Sequence, residues 1–246
     1  MRAIELNGVA VDANKAAFDW GRVLHEKPEL LTQKTAVNPE MDLKSMQDRH
    51  RDFLTQYQDE KWADRYDDYL HNLSQRQVSD EFLKAVSKSL FKLMTYKDEY
   101  EVARLHSDAS FQAEIAAEFE GEYKVIHHLA PPFLVSDLDE RGRPKKKCFG
   151  PWIRKVFPML AKLKFLRGTA FDPFGYHNER KLERELIDWY KALISEVADG
   201  YTPATAQTAL KIASAPLQIK GYGAVKLANI SKVKAQIRAL QKESNV

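Results

Sequence analysis

The sequence predicts a mainly α-helical protein with a small antiparallel β-hairpin inserted into a helical domain. Apolar residues recur at spacings of three and four over most of the chain, which is the period of a helix face that packs on a core. Residues 123–149 are the exception, because they combine β-forming residues with a turn sequence. With 246 residues, 44% of them hydrophobic, the chain can bury a sizeable core.

The first segment predicts an amphipathic helix without a partner. Its apolar residues offer more surface than one short helix can hide by itself; they are Ile4, Val11, Ala16, Phe18 and Trp20. Gly21, Pro28 and Pro39 then interrupt the pattern. We expect residues 1–40 to be the terminal helix of a domain that lies outside this sequence, followed by a linker, and residues 41–246 to be a C-terminal helical domain.

The second domain begins with helices. Residues 43–73 have apolar residues on one face and alternating charges on the other, which predicts a solvated helical hairpin. Ser79 can cap the next helix, where acidic residues of the first turn complement the helix dipole, and the pattern continues to Leu105. Residues 108–119 predict another short helix.

The hairpin and the remaining helices follow. Residues 123–129 and 145–149 are the predicted strands, with an extended run at 133–135 and a turn at 139–142 between them. Residues 152–166 predict a helix that Pro158 should kink or split. Further helices are expected around an apolar stripe at 182–197, between Thr202-Pro203 and Pro216, and after Gly223, with Leu227, Ile230, Lys234, Ile237 and Leu240 along one side.

Three groups of residues could carry chemistry but are better explained structurally. Lys97, Glu101 and Arg104 are about one helical turn apart, and ion pairs on a solvated helix face give this pattern far more often than acid–base catalysis does. His127 and His128 would point to opposite faces of a strand, so they cannot readily share a metal ion. Aromatic residues at 149–152 and 171–176 are predicted to pack at turns. We assign no catalytic, cofactor-binding or metal-binding residue.

The strongest asymmetry of charge lies between residues 141 and 167, where all ten charged residues are basic. Such a stretch can hold phosphates or dock an acidic protein surface. The residues of the hypothesised interface are Arg141, Arg143, Lys145, Lys146, Lys147, Arg154 and Lys155. A second basic stretch follows Asp199. The alternative is a solvated loop and basic helix faces that offset the acidic first third of the chain.

Composition excludes several classes of protein. A net charge of +3 is too small for a polycation that binds nucleic acid. The single Cys148 excludes an intrachain disulfide and a cysteine-ligated iron–sulfur or zinc site built from this chain alone. No apolar run could span a membrane and no signal peptide is recognisable, so we expect the protein to be cytoplasmic.

Several motifs together resemble one enzyme family. IELNGVAVDANKAAF at residues 4–18 resembles the last helix of the gamma-type catalytic domain of 2-oxoacid:ferredoxin oxidoreductases. Five more segments resemble, in order, the C-terminal region of the long bacterial indolepyruvate ferredoxin oxidoreductases: KLMTYKDEYEVARL at 92–105, HLAPP at 128–132, FGPW at 149–152, RGTAFDPFGY at 167–176 and IKGYGAVK at 219–226.

The resemblance implies a role within an enzyme and no chemistry in this chain. The family decarboxylates aryl-2-oxoacids oxidatively, forms an acyl-coenzyme A and reduces ferredoxin, and it uses thiamine diphosphate, magnesium and iron–sulfur clusters. No thiamine-diphosphate motif occurs here, so these cofactors are expected in the full enzyme only. The expected function is a non-catalytic C-terminal module that packs on the catalytic core or serves a subunit or electron-carrier interface, with ferredoxin as a further candidate partner. The alternative is a free-standing helical binding protein whose basic surface contacts an acidic partner or nucleic acid.

Overall fold

The computed structural model describes residues 1–32, 41–119, 121, 123–129 and 145–244. It divides the chain into two compact units, Met1–Asp42 and Leu43–Val246. The predicted extended run at 133–135 and the predicted turn at 139–142 lie outside the described residues.

The first unit consists of α1 (Arg2–Asn7), α2 (Val11–Glu26) and α3 (Glu29–Thr32). Gly8 ends α1 in the left-handed conformation, with φ at 66°, which glycine adopts without a steric penalty. The prediction that Gly21 interrupts the helix was wrong, because α2 continues through it to Glu26; one internal glycine costs only about 1 kcal/mol. Among residues 1–30, no side chain is buried.

The second unit begins with five helices, α4 (Leu43–Tyr57), α5 (Glu60–Ser74), α6 (Asp80–Met94), α7 (Glu99–Ser107) and α8 (Ala109–Glu118). Strands β1 (His127–Leu129) and β2 (Lys147–Phe149) pair antiparallel, with His128 opposite Cys148. The chain then forms α9 (Ile153–Lys162), a 3-10 helix (Leu163–Leu166), α10 (Asn178–Asp199), α11 (Ala206–Ser214), a second 3-10 helix (Ala215–Gln218) and α12 (Gly223–Ser244). The predicted fold class is therefore confirmed.

Helix α6 lies at the centre of the larger core and packs against α4, α5, α10 and α11. Ser79 caps it as predicted, since its Oγ accepts a hydrogen bond from the backbone N–H of Phe82 at 3.2 Å. The hydroxyls of Ser89 and Tyr190 both donate to the carbonyl of Ala213, at 2.7 and 2.8 Å. These bonds satisfy buried polar groups where α6, α10 and α11 meet.

The predicted helix between Ser79 and Leu105 is in fact two helices. Residues 95–98 separate α6 from α7, and Asp98 begins the second helix by accepting a hydrogen bond from the N–H of Glu101 at 2.8 Å. The apolar period is similar on both sides of the break, so it does not mark the break. The capping aspartate does mark it, because aspartate favours the N-cap over the helix interior.

Three further details differ from the prediction. Of the predicted kink or split at Pro158, the split does not occur, because Pro158 lies inside α9, at the cost of one helical hydrogen bond. Helix α11 begins at Ala206 and not at Thr202-Pro203, because Thr205 Oγ accepts from the N–H of Thr202 and closes a turn there. In α12, Leu227 is exposed, and the core side is formed by Ile230, Val233 and Ile237.

Candidate functional site

The hypothesised basic interface is partly described. Lys145, Lys146 and Lys147 are exposed at the start of β2, and Arg154 and Lys155 are exposed on the first turns of α9. Arg154 Nη2 donates to Gln112 Oε1 of α8. Arg141 and Arg143 lie outside the described residues.

Two members of the wider basic stretch, the half-buried Lys164 and the buried Arg167, make structural contacts. Lys164 donates to the carbonyls of Thr55 and Gln56 at 3.4 and 2.5 Å. Arg167 is buried and donates to the carbonyl of Tyr57 at 2.7 Å. Both cations therefore cap the C-terminal end of α4, where the helix leaves carbonyls unpaired and the dipole favours positive charge.

The apolar side of helix α9 is wider than the part that the core covers. Ile153 and Phe157 pack inward with Ala103 of α7. Beside this buried side, Val156 and Met159 of α9, with Trp152 just before the helix and Leu163 just after it, remain exposed by 41%, 70%, 60% and 41%. Their spacings of four, three and four place them along one stripe of the helix. We call these four residues the α9 outer stripe; Lys155 and Lys162 are exposed beside it.

The prediction was only partly right for the aromatic residues at 171–176. Phe174 is buried against Tyr100, with ring centroids 5.0 Å apart. Phe171 and Tyr176 were expected to pack at the turn, but they are exposed. A tight turn carries few side chains on its inner side, and Phe174 occupies that side here.

The acidic residues that the sequence placed on a solvated helix face are in fact buried. Asp98 Oδ2 and Oδ1 accept from Arg167 Nε and Nη2 at 2.5 and 2.9 Å. The guanidinium also lies 3.8 Å from the centroid of the Tyr57 ring. Glu101 is buried too and accepts two bonds from Arg104, each at 2.8 Å. These hydrogen bonds indicate a structural role for the two carboxylates, as predicted, but both lie in the interior and not on the surface.

Asp172 is similarly engaged and organises the turn that follows Arg167. Its carboxylate accepts from the Tyr100 hydroxyl at 3.1 Å and from the backbone N–H groups of Gly168 and Phe174 at 2.8 and 3.1 Å. A Cβ at Gly175 would lie 2.5 Å from Asp172 Oδ2. Glycine is therefore required there, because the carboxylate already fills the space.

The neighbouring histidines separate as predicted. His127 is buried beside His106 and Phe157, and burial lowers its pKa, with smaller contributions from His106 and Arg154. His128 is exposed, and its Nδ1 lies 3.3 Å from Cys148 Sγ on the paired strand. Within the described ranges, no group of three or more His, Cys, Asp or Glu residues is placed to hold a metal ion.

A cavity of about 400 Å³ forms where α6, α10 and α12 approach one another. Four lysines and one glutamate line it among apolar side chains; the lining residues are Lys92, Leu93, Thr95, Tyr96, Lys97, Glu183, Leu186, Ile219, Lys220, Gly221, Tyr222 and Lys226. Sequence reasoning noted the basic residues after Asp199 but missed this site. The motifs 92–105 and 219–226 supply most of its wall, and their distance in sequence concealed their contact.

The charges of this cavity are held in place. Lys92 Nζ donates to the carbonyls of Pro216 and Leu217 at 3.1 and 2.6 Å. Burial, with smaller contributions from the nearby charges of Lys220 and Lys226, lowers the pKa of Lys92 to about 8. Glu183 is paired with Lys226 and also with Arg180.

The turn before α12 is braced as well. Asn229 Nδ2 donates to the carbonyl of Lys220 at 2.8 Å, and Gly223 N–H donates to Glu179 Oε1 at 3.1 Å. Gly221 has φ at +92°, and an added Cβ would lie 2.8 Å from Val225 Cγ1. The turn, whose residues Lys220, Gly221 and Tyr222 line the cavity, is therefore braced in a fixed shape.

None of the helices in the described parts of the chain is long and apolar enough to cross a membrane.

Comparisons with known proteins give one match. No curated protein and no solved structure matches the chain. A family model described as a family of unknown function (DUF6537) matches residues 43–239, which is most of the chain and nearly all of the second unit, and the chain therefore belongs to this family.

Proposed function

We propose that this chain is the non-catalytic C-terminal module of an indolepyruvate (aryl-2-oxoacid) ferredoxin oxidoreductase. In this proposal it packs on the thiamine and gamma domains of the enzyme or forms a subunit or electron-carrier interface, and it acts in the cytoplasm. The rest of the enzyme holds the thiamine diphosphate, magnesium and iron–sulfur clusters. Asp98, Glu101 and Asp172 are engaged in structural contacts, and we assign the chain no catalytic residue.

The α9 outer stripe carries this proposal. Its four apolar side chains lie along α9 and the residue on either end of it, beside exposed lysines. Fully burying an exposed apolar side chain is worth about 1.5–3 kcal/mol, of which these side chains can still gain a part because 41–70% of each is exposed. Apolar groups aligned on a surface mark protein contacts more often than scattered ones do. An apolar strip beside basic residues suits a partner surface that is apolar at its centre and acidic at its rim.

The first unit supplies independent support. Phe18, Trp20 and Val23 of α2 are exposed, although an amphipathic helix gains most of its stability by burying such residues. The segment that contains these helices resembles the end of a gamma-type domain. We propose that this helix packs against that domain in the full enzyme.

The segments that carry the resemblance also contact one another. Asp98 of the motif 92–105 pairs with Arg167, the first residue of the motif 167–176. Tyr100 and Asp172 join the same two motifs a second time. These contacts give both motifs a structural role in the second unit, as we expect of a module without an active site of its own.

The decisive experiment tests whether the chain associates with the rest of the enzyme. The tagged chain and the untagged thiamine and gamma domains are produced as separate polypeptides, mixed and co-purified. We expect a complex that reduces ferredoxin with indolepyruvate and coenzyme A, whereas the chain alone should bind no thiamine diphosphate and turn over no substrate. Failure of the wild-type chain to associate, or turnover by the chain alone, would refute the proposal.

A matched pair of variants tests the surface itself. Met159→Glu places a charge in the α9 outer stripe, and Leu227→Glu makes the same change at an exposed apolar position of α12. We expect the first to weaken association by about tenfold or more, as substitutions at the centre of an interface do. The second should leave association unchanged. Equal affinities for the two variants would show that another surface makes the contact.

The free-standing binding protein remains the alternative. The exposed lysines at residues 145–147 favour it, because they lie together on a strand end. It predicts salt-dependent binding to an acidic protein or to nucleic acid by the chain alone, with no effect of Met159→Glu.

A further inference from the structure

The lysine-lined cavity has an excess of positive charge that its own carboxylate does not neutralise. Lys92, Lys97, Lys220 and Lys226 line it, against Glu183 alone. That glutamate is already paired with Lys226 and Arg180. Gathering like charges around a partly enclosed space is unfavourable unless an anion enters it.

Two of the cations are fixed before any ligand arrives. The Lys92 ammonium uses two of its three N–H donors on the carbonyls of Pro216 and Leu217, so one donor is left for a ligand. Lys226 is held by Glu183. Preorganised charges lose little conformational entropy on binding, which favours affinity for a small anion.

The remaining wall is apolar. Leu93, Leu186 and Ile219 are buried core residues that contribute to the cavity, and the rings of Tyr96 and Tyr222 complete it. A site with apolar walls and a few convergent charges is typical of small-molecule binding. A volume of about 400 Å³ lies within the usual range for such sites.

We propose that this cavity binds a small organic anion, whose phosphate or carboxylate group contacts the lysines and whose aromatic or aliphatic body contacts the apolar wall. The braced turn at 220–223 forms the mouth through which the ligand enters. The inference does not depend on the proposed function, because the second unit alone supplies every residue that lines the cavity.

The test uses four small probes with the purified chain, measured by calorimetry at low salt. Phenyl phosphate and phenylacetate carry the two anionic groups on the same ring, benzyl alcohol has the ring without the charge, and inorganic phosphate has the charge without the ring. We expect at least one aromatic anion to bind in the millimolar range or better and more tightly than benzyl alcohol and inorganic phosphate. Binding by phenyl phosphate alone or phenylacetate alone would identify the headgroup.

Two double variants locate the binding. Lys97→Gln with Lys220→Gln removes the two exposed cations of the cavity and should weaken binding at least about fivefold. Lys232→Gln with Lys242→Gln removes two exposed cations elsewhere on α12 and should leave affinity unchanged. Thermal melting should be the same for both. Equal weakening in the two variants, tighter binding of benzyl alcohol, or no binding by either aromatic anion would overturn the proposal.

Discussion

Replacing Arg167 by methionine should destabilise the protein more than any loss of a surface ion pair. The variant removes both guanidinium bonds to Asp98 and the bond to the carbonyl of Tyr57. The side chains of Arg167 and Asp98 are only 4% and 3% exposed, so water cannot replace the lost partner. Breaking a buried pair by removing one member costs about 3–5 kcal/mol, a large share of a typical stability of about 5–15 kcal/mol.

The loss can be measured as a free energy by urea unfolding and as a melting temperature by heating, both monitored by circular dichroism. For a chain of this size, each kcal/mol lowers the melting temperature by about 2–4 °C, so Arg167→Met should melt at least about 6 °C lower than wild type. Arg51→Met is the control, because Arg51 pairs with Asp64 and Asp67 but its side chain is 39% exposed. That variant should lose no more than about 1 kcal/mol.

A double variant separates the pair from the packing around it. Asp98→Asn combined with Arg167→Met leaves no unpaired buried charge, so it should lose less than the sum of the two single variants. Equal losses for Arg167→Met and Arg51→Met would refute the reasoning, because they would mean that the Asp98–Arg167 pair is as well solvated as a surface pair.

Three further predictions concern other parts of the chain. Burial, with smaller contributions from the charges of Arg49 and Lys88, lowers the pKa of His50 to about 4. The folded pKa lies below the unfolded value of about 6.5, so the neutral His50 contributes stability at pH values above it. About 1–3 kcal/mol of this stability is lost as the pH falls towards 4. His50→Gln should therefore flatten the dependence of the unfolding free energy on pH, and an unchanged slope would contradict this. In hydrogen exchange, Val11–Glu26 should exchange faster in the isolated chain than Asn178–Asp199, because none of its side chains is buried; equal protection would show that α2 has a packing partner within the chain. Changing Lys145, Lys146 and Lys147 to glutamate should slow association with the rest of the enzyme and reduce the salt dependence of its rate, without lowering the melting temperature. The same change at Lys232, Arg238 and Lys242 should alter neither the rate nor its salt dependence. Identical salt slopes for the two triple variants would mean that the strand lysines are solvated charges without a partner.

The sequence determined the local features of the fold. Apolar spacing predicted the helices because each helix must bury one face, and the change of pattern at 123–149 predicted the strand pair. Ser79 was identified as a cap because a cap depends on residues within three positions of it. The separation of His127 from His128 likewise follows from the alternation of a strand.

The tertiary structure decided which charged residues are buried and which are free. Asp98 and Arg167 are 69 positions apart, and Lys92 and Leu217 are 125 apart, so no local pattern indicates that they meet. A lysine or an aspartate looks the same in sequence whether it faces water, caps another helix or lines a cavity. The Asp98–Arg167 pair, the caps on α4 and the lysine-lined cavity therefore exist only because packing of α6 against α4, α10 and α11 brings distant segments together. The exposure of the α9 outer stripe was decided in the same way, because the sequence of a helix with a wide apolar side does not show how much of that side the core will cover.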